Sequence, residues 1–305
     1  MINEYVNKLI DNLPDDIKNV KEPIVIDLVL DGGVFNGSYL VGAMYFLKEM
    51  EKRNYIKINR ISGCSIGSVV AFCYFIDALD CIPHFYEIVY KNFKKTHKLN
   101  TIKKIKKIFS NYIDDNTCKN VNNRLFITYN NIKKRTKPVK SYYKTVDEIV
   151  STIIRSCYVP YLIDGNILYK NSSIDGILPY IFKRESNTKI LYLELFTYDK
   201  LGNLLNVKNE KTNFHRILSG LLEIHSFFIK KSNTHMCSYV DDWTVTNYLS
   251  YYIKLLIEKI CIYIMTFYIF IKNIIPNDFK DMILYKFSSI IIYDIFSLLL
   301  ETYCL

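Results

Sequence analysis

The chain is short of the residues that punctuate secondary structure: 305 residues include only 10 Gly, 7 Pro and 1 Trp. That composition excludes collagen-like and low-complexity chains, so places where glycines gather carry meaning. Its eight cysteines, at 64, 73, 81, 118, 157, 237, 261 and 304, show no C-x-x-C spacing and no dense cluster. A disulfide framework or zinc site is thereby excluded as a reading, and the cysteines are expected to be reduced thiols. H-x-x-x-H, H-E-x-x-H and acidic calcium-loop patterns are all missing, so neither a metal nor another cofactor is expected. The opening Met1-Ile2-Asn3-Glu4-Tyr5 lacks the basic and unbroken apolar stretches of a signal peptide. A cytoplasmic protein, peripheral at most to a membrane, is expected. No internal repeat is visible.

What is present is apolar bulk and positive charge. At 50% hydrophobic the chain can bury a sizeable core. The net charge of +10 favours an anionic partner, a phospholipid surface or a nucleic acid, without choosing between them. Residues 2–20 place Val6, Leu9, Ile10, Leu13 and Ile17 on one side of a helix that breaks near Pro14. Ile24 to Leu30 is an almost unbroken apolar run, as in a strand buried on both faces, and it ends in Asp31-Gly32-Gly33. Ser38 to Arg53 reads as a helix, a strand leads into Gly63, and Ser68 to Leu79 reads as another helix.

Further along, Lys91 to Lys107 alternates lysines with Phe93, Leu99, Ile102 and Ile105. This basic amphipathic segment reads as a solvated helix or as a patch for a membrane or nucleic acid. Arg124 to Tyr129 and Lys189 to Thr197 read as strands, and Thr145 as the cap of a helix over 146–157. Ile163-Asp164-Gly165-Asn166-Ile167 reads as a hairpin turn with Asp164 structural. Nearly everything beyond Phe214 reads as helix. Within it Ile260 to Ile271 is uncharged but shorter than the roughly 20 residues a spanning helix needs. That stretch and Met282 to Leu300 are expected to pack on the core or dock on a membrane.

Three elements carry chemistry. Gly63-Cys64-Ser65-Ile66-Gly67 lies between a strand and a helix, where small neighbours permit a sharp turn that exposes the serine hydroxyl at a helix N-terminus. Asp31-Gly32-Gly33-Val34-Phe35-Asn36-Gly37 also joins a strand to a helix, and its glycines let backbone N–H groups face a developing oxyanion. A dinucleotide loop is disfavoured there because the spacing is not G-x-G-x-x-G. Asp175-Gly176 supplies a carboxylate, which serves as a base wherever the site desolvates it. His215, His225 and His235 follow Asp175 in the order an ordinary Ser-Asp-His triad requires, which leaves that triad as a rival.

In order and context these elements resemble the patatin-like phospholipases over roughly residues 24 to 200. The shared pattern includes the small-residue-to-proline segment Arg155-Ser156-Cys157-Tyr158-Val159-Pro160. The resemblance implies a three-layer α/β/α fold with a mostly parallel sheet and a helical C-terminal region. It also implies a Ser65–Asp175 dyad without histidine, acting on acyl esters of a phospholipid or lysophospholipid. The oxyanion hole would come from Gly32, Gly33, Val34 and Gly37, the nucleophile elbow from Gly63, Cys64, Ile66 and Gly67, and the dyad loop from Gly176. An anionic membrane surface becomes the expected partner and nucleic acid does not.

Three positions depart from the family pattern. Val34 stands at a third glycine, Asn36 at a Lys or Arg, and Ile177 at a small residue. A catalytically weak or inactive lipid-binding protein is the alternative these departures motivate. The expected organisation is an N-terminal helix over 1–22, a catalytic domain over 23–213 and a helical region over 214–305.

Overall fold

The computed structural model describes residues 2–304 except 20, 209, 211, 277–290, 292–293 and 296. Its strands are β1 (Ile24–Leu30), β2 (Ile56–Cys64), β3 (Leu125–Thr128), β4 (Asn130–Asn131), β5 (Val139–Lys140), β6 (Ser173–Ile174), β7 (Lys189–Leu193) and β8 (Cys237–Tyr239). Six of them form one sheet in the order β5-β3-β2-β1-β7-β8. The inner four strands are parallel, and β5 and β8 close the edges antiparallel. A separate antiparallel ladder pairs β4 with β6.

Strand β1 shows why the sheet is central. Leu28 and Leu30 join the large core on one face, whereas Val29 joins a smaller cluster with Ile190, Tyr192 and Phe182 on the other. That division is the period of two expected of a strand covered on both faces. The large core receives the Gly37–Lys52 helix, over which the Ile2–Asp11 and Phe214–Lys230 helices pack. The smaller cluster lies under Tyr180, Ile181 and Trp243. The result is a layered α/β/α protein with a mostly parallel central sheet.

The chain leaves β1 toward β2 and β3 on one side, while β7 pairs on its other side. That reversal marks a topological switch point, outside whose carboxyl ends open α/β sheets bind ligands. The glycine loop follows β1 and the Ser65 turn follows β2, so both lie at this edge.

Several sequence expectations change. Within the mostly helical C-terminal region, Cys237–Tyr239 adds the unexpected β8 to the sheet edge; three residues are too few to show strand periodicity. Asp164-Gly165 turns the chain without a hairpin. Gly165 has φ +82°, but no strands flank it, and Asp164 instead pairs with Lys103 and Tyr158 and accepts the Asn166 N–H at 3.0 Å. Asp164 is structural, as expected.

The basic segment is likewise not one helix. His97 adopts φ 55° and ends the Ile82–Thr96 helix, and Phe93, Leu99, Ile102 and Ile105 are all buried in the core. Of the run Met282 to Leu300, residues 282–290, 292–293 and 296 lie outside the described residues. All eight cysteines are free thiols. Among the described residues, no helix is long and apolar enough to cross a membrane, and no group of three or more His, Cys, Asp and Glu is arranged to hold a metal ion.

Candidate functional site

The turn after β2 stores strain at one residue. Ser65 has φ 49° and ψ −129°, a region that side-chain-bearing residues rarely occupy, and it is followed at once by the Ile66–Phe75 helix. The neighbours that hold it there leave no room for a side chain at Gly67, whose Cβ would stand 2.6 Å from the carbonyl oxygens of Leu30 and Asp31. Ser65 N–H donates to Ser156 Oγ at 2.8 Å, and Ser156 Oγ donates to Thr128 O at 2.6 Å. Ser68 Oγ donates to Ser65 O at 2.6 Å. Ser156, on the Val146–Ser156 helix, thus ties the serine turn to the end of β3.

Asp175 directly follows β6. Its backbone N–H donates to Tyr158 O at 3.0 Å, and its carbonyl accepts Asn130 Nδ2 at 2.9 Å. A Cβ on Gly176 would collide with the Thr128 carbonyl, so glycine is required for the loop to lie against β3. The Asp175 carboxylate accepts the Ile177 N–H at 2.8 Å. The residue keeps some surface toward a cavity while its carboxyl is packed away from water. Desolvation is the main cause that raises its pKa from 3.8 to about 6, with Glu258 adding to the rise. Hydrogen bonds from the Ser65 side chain and the Ile177 amide, together with the charge on Lys137, oppose the rise. The structure thus brings Ser65 and Asp175 together.

The glycine loop is held from beneath by Asp31, which sequence reading took only as the start of the motif. Its buried carboxylate accepts Gly32 N–H at 3.1 Å, Leu195 N–H at 3.0 Å and Phe196 N–H at 3.2 Å, stapling the end of β1 to the chain beyond β7. Burial raises the Asp31 pKa to about 6. Of the loop amides, Gly32 N–H is taken by Asp31 and Gly37 N–H by Val34 O and Phe35 O. Gly33 and Val34 keep N–H groups without a partner among the described residues. Val34 adopts φ 44° and Ile177 φ 56°, both costly for branched side chains.

Asn36 is fully buried, donating to Lys200 O at 2.8 Å and accepting from Arg216 Nη1 at 2.6 Å. Arg216 also donates to Asn203 O and Asn206 O and pairs with Glu210. A guanidinium therefore reaches this loop from the Phe214–Lys230 helix, although position 36 itself carries no cation. Sequence reading missed it, since nothing local to Arg216 marks it as buried.

Ser65 lies between two apolar cavities. One runs under the Ile82–Thr96 helix and is lined by Phe35, Val70, Phe85, Leu99 and Ile102. The other holds Gly32, Gly33, Asp175 and Ile177 and is closed by Cys261, Ile262 and Met265 of the Val245–Ile274 helix. Glu258 on that helix is buried, accepts from Lys137 Nζ at 2.6 Å and from Asn130 Nδ2 at 3.2 Å, and was also missed in the sequence. No histidine lines either cavity. His215 sits near Glu210, His225 against Phe46, and His235 beside Ser219 and Glu223.

A mostly parallel sheet, flanked by helices and carrying its cavities at a switch point, defines the class as layered α/β. Within that class, the family model described as Patatin-like phospholipase matches residues 28–181, just over half of the chain. The chain belongs to the patatin-like phospholipase family, a family of lipid hydrolases. No curated protein matches it.

Proposed function

We propose that the protein is a lipid acyl hydrolase of phospholipase or lysophospholipase type, with Ser65 as nucleophile and Asp175 as its base. The observation that carries this reading is the pairing of a strained serine with a desolvated carboxylate whose pKa rises to about 6. A carboxylate of that basicity accepts a proton near neutral pH far better than an ordinary one.

Asp175 takes the hydroxyl proton as Ser65 Oγ bonds to the acyl carbon, and the ester C–O bond breaks as that proton passes to the leaving alcohol. Water, deprotonated by Asp175, then attacks the acyl-enzyme; Ser65 recovers its proton and fatty acid departs. The N–H groups of Gly33 and Val34 face the developing oxyanion, with Gly32 and Gly37 shaping the loop. Gly63, Cys64, Ile66 and Gly67 form the elbow, and Gly176 sets the turn beside the base. The acyl chain lies in the apolar cavity along Phe35, Val70 and Phe85, and the lipid is drawn from an anionic membrane surface.

A fluorophosphonate probe is expected to label the wild type and not Ser65→Ala; equal labelling of both would overturn the assignment. Val34 at φ 44° motivates a second reading, a lipid-binding protein with weak turnover, because the strained valine contributes one of the two amides. Vesicle binding without labelling of the wild type favours that reading.

A further inference from the structure

The Val245–Ile274 helix presents an outward face that no other part of the described chain covers. Leu249, Leu256, Tyr263, Ile264 and Phe267 are each more than half exposed. At 100° per residue, the exposed apolar side chains span an arc of about 200° centred opposite Glu258. Its inner side is fixed by charge. Lys254 pairs with Glu194, and one turn later Glu258 pairs with Lys137. On that same inner side, Cys261, Ile262 and Met265 close the cavity that holds Ser65 and Asp175.

We propose that this helix lies in the headgroup layer of an anionic lipid bilayer, its outward arc immersed, so that the Ser65 cavity sits directly behind it at the lipid surface. The inference rests on the lipid hydrolase reading above and names the surface from which the substrate comes. Two observations select a bilayer over a protein, and a third sets the helix in the interface. A protein partner covers a stripe roughly 100° wide, as helix packing does, whereas acyl chains and headgroups surround a half-immersed helix over a wider arc. The only acid among the 30 residues of the helix is the buried Glu258, while Lys259 stands exposed at the margin of the arc, which suits a negative surface and opposes self-association. No described helix is long and apolar enough to cross a membrane, so the helix lies in the interface rather than across it.

The test uses the full chain and the Leu256→Glu/Ile264→Glu double variant, neither position lining either Ser65 cavity. Sedimentation with vesicles of mixed phosphatidylcholine and phosphatidylserine, turnover on those vesicles, and turnover on a soluble short-chain ester are measured together. The wild type is expected to sediment with these vesicles and less with pure phosphatidylcholine. The double variant is expected to lose sedimentation and on the order of tenfold or more in vesicle turnover, while keeping soluble-ester turnover within about twofold. Retained soluble turnover also shows that the variant is folded. If the catalytic reading alone is wrong, no ester is cleaved but wild-type sedimentation persists. Sedimentation of the double variant equal to wild type would overturn the docking proposal. A wild-type protein that ignores both vesicles and is dimeric by light scattering would overturn it too, assigning the arc to a second copy.

Discussion

Lys137 Nζ donates to both carboxylate oxygens of Glu258, at 2.6 and 2.7 Å, although the two residues are 121 positions apart. Asn130 joins this pair to the candidate base, since its side-chain nitrogen donates both to Glu258 and to the carbonyl of Asp175. The long helix and the site are therefore one electrostatic unit. Glu258 raises the Asp175 pKa and Lys137 lowers it.

Replacing Glu258 by Gln removes the raising charge and leaves Lys137 in place. The acid limb of the pH–rate profile is expected to move to lower pH, by roughly half a pH unit to one. Lys137→Met is expected to move it to higher pH. A limb fixed in both variants contradicts the coupling.

Arg216 is fully buried and holds Asn36, Asn203, Asn206 and Glu210 at once. Arg216→Met removes the guanidinium from Glu210, which keeps, among the described residues, only the Tyr86 hydroxyl and nearby His215, and leaves the Asn36 side-chain oxygen without its donor; it is expected to destabilise the protein by about 3 kcal/mol, read by urea unfolding. Arg216→Lys is expected to recover little, because an ammonium cannot supply the fork of donors that four acceptors use.

Val34 is half-buried at φ 44°, where glycine is unstrained. Loss of the isopropyl group and of chain stiffness opposes relief of strain on the order of 1–2 kcal/mol. Val34→Gly is therefore expected to leave stability within about 1 kcal/mol of wild type, and to raise turnover by letting the unpaired loop amides turn more easily toward the oxyanion. Thermal unfolding and ester kinetics read the two effects.

The ease of reading these features from sequence followed how local their causes are. Ser65, Gly63 and Gly67 were legible because a sharp strand-to-helix turn imposes its residue types within five positions. The apolar run of β1 was legible because burial on both faces removes polar residues from it. Asp175 emerged only through its order relative to the other two motifs. Arg216, Glu258 and Ser156 were not legible as site residues: each acts on a partner more than 90 positions away. A charged residue on a helix reads as solvent-facing until its partner is known. Strand β8 was missed because an edge strand of three residues borrows its conformation from β7.

Asp31 and Asp175 also govern how stability depends on pH. Each has a folded pKa of about 6, above the 3.8 of an unperturbed carboxyl. The unfolded chain therefore releases these protons first, so raising pH from about 4 to about 6 favours unfolding, and the loss is complete above that window. Asp175→Asn removes one such group and is expected to stabilise the protein at pH 8 by about 2–3 kcal/mol relative to its effect at pH 4. Chemical unfolding at the two pH values measures this; an equal effect at both contradicts it.

The central claim is that Ser65, activated by Asp175, cleaves lipid acyl esters. Fatty-acid release from phospholipid vesicles by wild type, Ser65→Ala and Asp175→Asn at pH 8 tests it most directly. The wild type is expected to release fatty acid, and each variant to fall by a factor of about a thousand or more. Release by Ser65→Ala at a rate close to wild type would contradict the account.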